Sequence, residues 1–511
     1  MFRQEGHAIR PFSWNRVAVG LVRFWHREPE RPFRALHRSG LAGVALYTVA
    51  AIFFYFSGSD HTSASEPFRW ALIAGLLYAF VSGDRAVRAV PDAPRVRRIV
   101  VGYGVLLVLV AAVVPAFHST DVSSYINSGW QQVRYGVNPY QVLLYEMPTG
   151  LTDPMFVQQW QFVPCSYGFL TALQAKAACL VSGPDHGVAV GVLKVSACLT
   201  LLAVGAVAWV GSGAAGGPRS IRAAYLVLWN PLLLLHCVSN AHNDLQLGLG
   251  VAVAVVAAVS GRWFWVFPGL AAAALVKYVS VILLPFLFLA SIRSYGLMRT
   301  GVSLTAAAGI VVVCWWPYQD GFDFTYFSRM GTNLSLAHTS LASVVEFPAE
   351  VLAKSIPGLR DQRPAFQNAV RLACWGAFAV FYGALLLGRL RRSASREDTI
   401  RDSTLVLLVF LLASPKFHSW YLAMVVPVAV CLPMGSTLRK AVLALGVANL
   451  LSFTFVYQAH FLNAVLMLVV PLWLVLRATP GRGKGPEALV GSGSVIPVIW
   501  RGPRPSPVGG K

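Results

Sequence analysis

Apolar runs dominate the chain, and short polar stretches separate them. The runs cover 41–57, 70–81, 99–117, 188–209, 223–238, 245–259, 264–276, 278–292, 302–317, 370–390, 404–413, 421–432, 441–456 and 461–476, fourteen in all. A straight helical span needs roughly 20 apolar residues to cross about 30 Å of hydrocarbon. Several runs are shorter, so their ends must extend into flanking polar residues or pack inside the bundle. The pattern predicts an all-α polytopic membrane protein with about 14 transmembrane helices and one long polar interval after the third run. The apolar stretch 168–181 is read differently: it is short and carries Gln174 and Lys176. It is expected to lie at the interface or dip into the protein, because a crossing there would put every later loop on the wrong side.

Composition sharpens this picture. Of 511 residues, 56% are hydrophobic and 12% charged, about half the charge of a soluble protein. A cytosolic enzyme with a polar surface is excluded. Seven cysteines, an odd number with no CxxC spacing, argue against a disulfide scaffold or a structural zinc site. The net charge of +21 would suit nucleic acid, but its distribution does not. With the N-terminus inside, 31 of the 42 lysines and arginines fall in cytoplasmic segments. The excess then faces the anionic inner leaflet, both termini are cytoplasmic, and no nucleic-acid partner is expected. The predicted location is the inner (plasma) membrane.

The organisation follows. Residues 1–40 form a basic cytoplasmic segment whose Trp14, Val17, Leu21, Phe24 and Trp25, set among arginines, suit an amphipathic surface helix. No cleavable signal is visible, since the first strong apolar stretch starts at Leu41. Residues 41–98 hold two additional membrane helices, and 99–476 a catalytic membrane module with outer loops at 118–186 and 318–367. Residues 477–511 are rich in Gly, Pro and Arg and are expected to be disordered. No internal repeat is evident, which weighs against inverted-repeat transporters.

The chemistry concentrates in the first outer loop, which reads HSTDVSSYINSGWQQVRYGVNPY and then WQFVPCSYGFL. Such a loop is too long for a connector, and its Tyr, Asn, Gln and Trp side chains suit sugars. Asp121 follows the third span directly. In a helix starting there, Asp121, Tyr125, Gly129 and Gln132 share a face, and Asn138-Pro139-Tyr140 reads as the turn that ends it. Asp121 is then either a functional carboxylate or the N-cap of that helix.

This string resembles the first extracytoplasmic loop of GT-C glycosyltransferases, most closely bacterial, actinobacterial-type mannosyltransferases that use polyprenyl-phosphate mannose. The resemblance rests on Asp121, Tyr125, Gly136-Val137-Asn138-Pro139-Tyr140 and the Ser166-Tyr167-Gly168 that follows Pro164. It continues through Trp229-Asn230-Pro231, His242-Asn243-Asp244, Val276-Lys277-Tyr278 before Leu284-Pro285, and Ser414-Pro415 with Trp420-Tyr421 before Pro427. Cys165 and Phe169 depart from it: an aromatic or small residue is expected at the first and a second proline at the second.

What the resemblance implies is inverting transfer from a lipid-phosphate sugar on the outer face, with Asp121 as general base on the acceptor hydroxyl. The physical logic agrees. A sugar hydroxyl is a poor nucleophile until a carboxylate within hydrogen-bond reach accepts its proton. A phosphate leaves unprotonated, so the second, acidic carboxyl of a glycosidase is unnecessary. Developing phosphate charge does need cations. Lys277 is the first candidate, against the alternative of a snorkelling lysine; Lys416 and His418 are further candidates, or else interfacial anchors with Trp420 and Tyr421. Tyr125, Asn138, Tyr140, Tyr167, His242, Asn243, Asp244, Tyr278, Trp420 and Tyr421 are candidate sugar- or acceptor-binding residues. Asn243 and Asp244 would serve equally as helix caps. A His-Asp pair invites a metal, but no third ligand is obvious, so neither metal nor cofactor is expected. Arg329, Asn333 and His338 lie in a second outer stretch that either covers the acceptor groove or merely connects.

The leading expectation is therefore a membrane mannosyltransferase acting on a glycan or lipid-linked acceptor of the cell envelope. Another prenyl-phosphate sugar, such as arabinofuranose or glucose, or a protein acceptor would suit the same fold. A transporter or lipid flippase is the rival from another class, since it too would have many spans and intramembrane charge.

Overall fold

The computed structural model describes residues 30–57, 65–147, 152–214, 219–321, 339–454 and 460–478. These residues are helical, with no sheet among them. The predicted surface helix at the N-terminus, the tail after Ala478, and Arg329, Asn333 and His338 lie outside the described residues.

Three long helices open the bundle: α1 (Glu30–Ser57), α2 (Glu66–Arg88) and α3 (Pro94–Val113). Proline near the N-terminal end starts both α2 and α3, where its missing N–H costs nothing. After them come α4 (Asp121–Arg134), α5 (Phe169–Ser182), α6 (His186–Gly211), α7 (Ile221–Leu228), α8 (Asp244–Val259), α9 (Val266–Val276) and α10 (Leu284–Trp315). The remaining long elements are α11 (Leu341–Ser355), α12 (Arg363–Arg391), α13 (Arg396–Ala413) and α14 (Thr437–Ala448).

The expected count of about fourteen spans is not what the helix lengths give. Among the described residues seven helices are long and apolar enough to cross a membrane: Glu30–Ser57, Glu66–Arg88, Pro94–Val113, His186–Gly211, Tyr278–Asp320, Arg363–Arg391 and Phe461–Ala478. An eighth forms if Ile221–Leu228 and Leu233–Ser239, bent by 59°, count as one. The bend falls at Trp229-Asn230-Pro231. Pro231 cannot donate a backbone hydrogen bond, and Asn230 Oδ1 accepts from the Leu232 N–H at 3.0 Å instead. That motif thus shapes a helix.

Two physical effects reduce the count. The runs 278–292 and 302–317 join into a single 43-residue stretch, interrupted at Gly296, whose φ of 82° only glycine adopts readily. Other apolar runs are short core helices. α8 is 16 residues long, about 24 Å, and nearly every residue from Leu245 to Val259 is buried. A helix apolar on all sides is one surrounded on all sides, by lipid or by protein, and hydropathy cannot tell the two apart. α5, at 14 residues, is likewise too short to cross, as the stretch 168–181 was expected to be.

Candidate functional site

The link between α3 and α4 positions Asp121, and it is tied at several points. Buried Lys194 of α6 donates to the Ala112 carbonyl at 3.1 Å and to the Val114 carbonyl, setting a cation at the carbonyl end of α3. Ser239 Oγ donates to the Ala111 carbonyl at 2.8 Å, and the His118 N–H donates to Asn240 Oδ1 at 2.9 Å. The N-cap of α4 is Thr120, whose side chain makes no capping bond, and it is Ser119 Oγ that accepts from the Asp121 N–H at 3.2 Å. The capping alternative for Asp121 therefore falls.

Its carboxylate turns to His242 instead, with Oδ2 3.4 Å from Nδ1. His242 is fully buried, while Asp121 keeps 15% of its side chain exposed. Burial alone would raise the Asp121 pKa. The contact and charge of His242, with the fields of Lys277 and His418, outweigh burial and hold the carboxyl well below the ordinary range. Asp121 is a carboxylate at any physiological pH.

His242-Asn243-Asp244 reaches three ways from the start of α8. Ala241 just before it has φ 53°, a left-handed backbone uncommon for a residue with a Cβ. His242 faces Asp121. Asn243 Oδ1 accepts from the Tyr125 hydroxyl at 3.2 Å, and its Nδ2 donates to Thr171 Oγ1 at 3.2 Å. Asp244 is fully buried and accepts from Lys277 Nζ through both oxygens, at 2.9 and 2.8 Å. Neither Asn243 nor Asp244 gives α8 a side-chain cap.

Lys277 follows α9, where the backbone turns extended. Its ammonium lies 5.6 Å from the ring centre of Tyr167 and 5.0 Å from that of Tyr421, so it is no snorkelling residue. Its charge is nonetheless balanced by Asp244. Lys416 is different: half-buried, it makes no ion pair with any described residue. Burial lowers its pKa, with Asp121 pulling it up and Lys277 pushing it further down, so its charge sits in the field of both.

Tyr167 joins three of the sequence motifs. Its carbonyl accepts from the Tyr140 hydroxyl at 2.9 Å and the Tyr278 hydroxyl at 3.4 Å. Asn138 Oδ1 accepts from the Tyr140 N–H at 3.0 Å, which closes the predicted turn. The Tyr167 ring meets Tyr125 edge-on at 4.7 Å. Trp420 is sandwiched between His242 at 4.2 Å and His418 at 4.4 Å, while Tyr421 meets His418 edge-on at 5.2 Å. The Nε2 of His242 and the Nε1 of Trp420 are buried without a partner among the described residues. Cys165 and Phe169 are buried in one apolar cluster with Tyr140 and Tyr318, so their departures alter its packing.

Asp121, Tyr125, Tyr167, Lys277, Trp420 and Tyr421 thus gather around the His242-Asn243-Asp244 turn, with His418 stacked on Trp420 and Lys416 in the field of Asp121. Tyr140 and Tyr278 connect to it through the Tyr167 carbonyl, and Asn138 only through the Tyr140 turn. Sequence reasoning missed Lys194, His118 and His236. Lys194 carried a readable signal, an ammonium within an apolar run. His236, within the apolar run 223–238, carried the same signal, whereas His118, whose ring stands 5.3 Å from it beside Trp420, carried none. Among the described residues no group of three or more His, Cys, Asp or Glu side chains is arranged to hold a metal. Two small cavities line this site, about 30 Å³ beside Tyr167 and about 10 Å³ beside His242. A cavity of about 690 Å³ lies elsewhere, among Arg88, Arg222 and Arg439.

Comparison with known proteins adds a second line of evidence. Residues 39–293 match the family model described as alpha-(1->6)-mannopyranosyltransferase, N-terminal domain. The matched range takes in α1, α2, Asp121, the His242-Asn243-Asp244 turn and Lys277. The chain is 30% identical over 177 residues to alpha-(1->6)-mannopyranosyltransferase A of Mycobacterium tuberculosis, covering 34% of this chain and 33% of that one. The aligned part is thus about a third of the relative's length. No solved structure matches. Residues 39–293 are thus similar to the N-terminal domain of alpha-(1->6)-mannopyranosyltransferases, which supports a glycosyltransferase of the mannosyltransferase kind.

Proposed function

We propose that the chain is an integral membrane glycosyltransferase of the GT-C kind. It transfers mannose from a polyprenyl-phosphate donor to a glycan or lipid-linked acceptor on the extracytoplasmic face, with inversion. The observation that carries this reading is Asp121: a carboxylate held ionised, open on one side, 3.4 Å from a buried histidine and in the field of Lys416.

The acceptor hydroxyl oxygen attacks the anomeric carbon while Asp121 takes its proton. The bond from that carbon to the donor phosphate oxygen breaks, and the phosphate leaves with the electron pair. Lys277 is neutralised by Asp244, so Lys416 is the cation that meets the departing phosphate, and Lys277 fixes the frame around Tyr167 and Tyr421. The unpartnered ring nitrogens of His242 and Trp420 point to further polar contacts with donor or acceptor. Inversion of a β-linked donor gives an α linkage, which agrees with the name of the matched family. That name also speaks for transfer over transport.

The test is direct. Purified protein, incubated with radiolabelled prenyl-phosphate mannose and a mannoside acceptor, should give a longer mannoside. Lack of product with any prenyl-phosphate sugar overturns the assignment.

A further inference from the structure

A large cavity lies at the other end of α3 from Asp121. It opens where α2 ends, where α7 begins and where α14 begins, about 30 Å along α3 from the carboxylate. Its volume of about 690 Å³ falls within the range of ligand pockets. Four cations line it, Arg88, Arg222, Arg439 and Lys440, against one carboxylate, Asp92.

Interfacial arginines normally extend into water. Two of these do not, for Arg222 is 7% exposed and Arg439 5%. The carboxylates nearby are already engaged. Asp84, behind the wall, accepts from Arg222 Nε at 2.6 Å and Nη2 at 3.1 Å. Asp92 accepts from Arg97 Nε at 2.7 Å and from the Ile221 N–H at 2.8 Å. Arg439 gives one N–H to the Leu432 carbonyl at 2.7 Å, and neither it nor Lys440 makes an ion pair with any described residue. A buried guanidinium without a carboxylate partner, as at Arg439, is costly unless an anion joins it. Val90 and Leu443 add an apolar wall beside the charges.

We propose that this cavity is a second binding site, for a phosphate-bearing anion held by Arg439 and Lys440. The phosphate comes either from the headgroup of an anionic membrane lipid, whose chain would lie on the apolar wall, or from free phosphate. The site stands apart from the Asp121 chemistry and does not depend on it.

Native mass spectrometry of the full chain in detergent, titrated with phosphatidylglycerol and with a phosphate-free diacylglycerol glycolipid, tests the lipid source. Calorimetric titration with inorganic phosphate at matched ionic strength tests the free one. Each titration is repeated with Arg439→Gln and with Lys440→Glu, an exposed position whose change leaves the fold intact. The expected result is binding of phosphatidylglycerol or of phosphate, about tenfold weaker in each variant. Binding of the lipid alone identifies a headgroup site, and binding of phosphate identifies a free-anion site. If neither binds, if the glycolipid binds as well, or if Lys440→Glu binds like the parent, the proposal is overturned.

Discussion

Asp121 and the two lysines near it divide their work in a way that substitutions can separate. Asp121→Asn keeps size and hydrogen bonding but removes the base, and should lower kcat about a hundredfold or more. Because Asp121 is held ionised well below the usual range, mild acid cannot mimic that substitution. The parent to Asp121→Asn rate ratio should therefore not fall to unity between about pH 8 and about pH 5, although the loss of the Asp121 charge also shifts the neighbouring groups in the variant. A ratio collapsing towards unity near pH 5 would mean that Asp121 itself takes up a proton there. Lys277→Met leaves Asp244 buried and unpaired, and should cost about 3–5 kcal/mol of stability. The double variant with Asp244→Asn should recover much of that in thermal unfolding. Lys416→Met breaks no ion pair among the described residues, so it should unfold like the parent yet lose about tenfold or more in kcat/KM. The sequence singled out both lysines as candidates. It could not show which was free, because the Lys277–Asp244 pair joins positions that no helical or strand period relates.

At the scale of elements, the site is a convergence of helix ends held by backbone contacts too close for a side chain. The Gly168 N–H donates to the Val276 carbonyl at 2.9 Å, and a methyl at Gly168 would run into the Leu275 carbonyl. Gly129 on α4 meets α5 as closely, at the Ala175 carbonyl. These contacts set Tyr167 between Tyr125 and Lys277. Gly168→Ala must shift the Ser166-Tyr167 backbone, since a carbonyl cannot rotate aside like a side chain. It should lower kcat/KM about tenfold or more, whereas Gly102→Ala on α3, with open space around it, should leave the rate near that of the parent. The motifs of the first loop and of α8 and α9 were legible because each breaks an apolar run with polar residues and a turn. The helix count was not legible, since α8 and α9 are apolar for the sake of the protein core.

Across the whole molecule the question is which way the bundle faces. The catalytic reading needs Asp121 outside, where a flipped prenyl-phosphate donor would meet it, and the Arg85, Arg88, Arg95, Arg97 and Arg98 cluster around the link between α2 and α3, at the end of α3 away from Asp121, favours that orientation. The structure offers two reporters at opposite ends. Ala89, exposed beyond α2, belongs to the end that carries the basic cavity, and Gln159, exposed in the 118–186 loop, belongs to the end that carries Asp121. In intact cells a membrane-impermeant maleimide should label Gln159→Cys and spare Ala89→Cys, and after lysis it should label both. The seven native cysteines are buried or half-buried, so labelling of the parent chain sets the background. The opposite pattern would place Asp121 in the cytosol, away from an outer-leaflet donor. It would remove the mechanism while leaving the fold and the family match untouched.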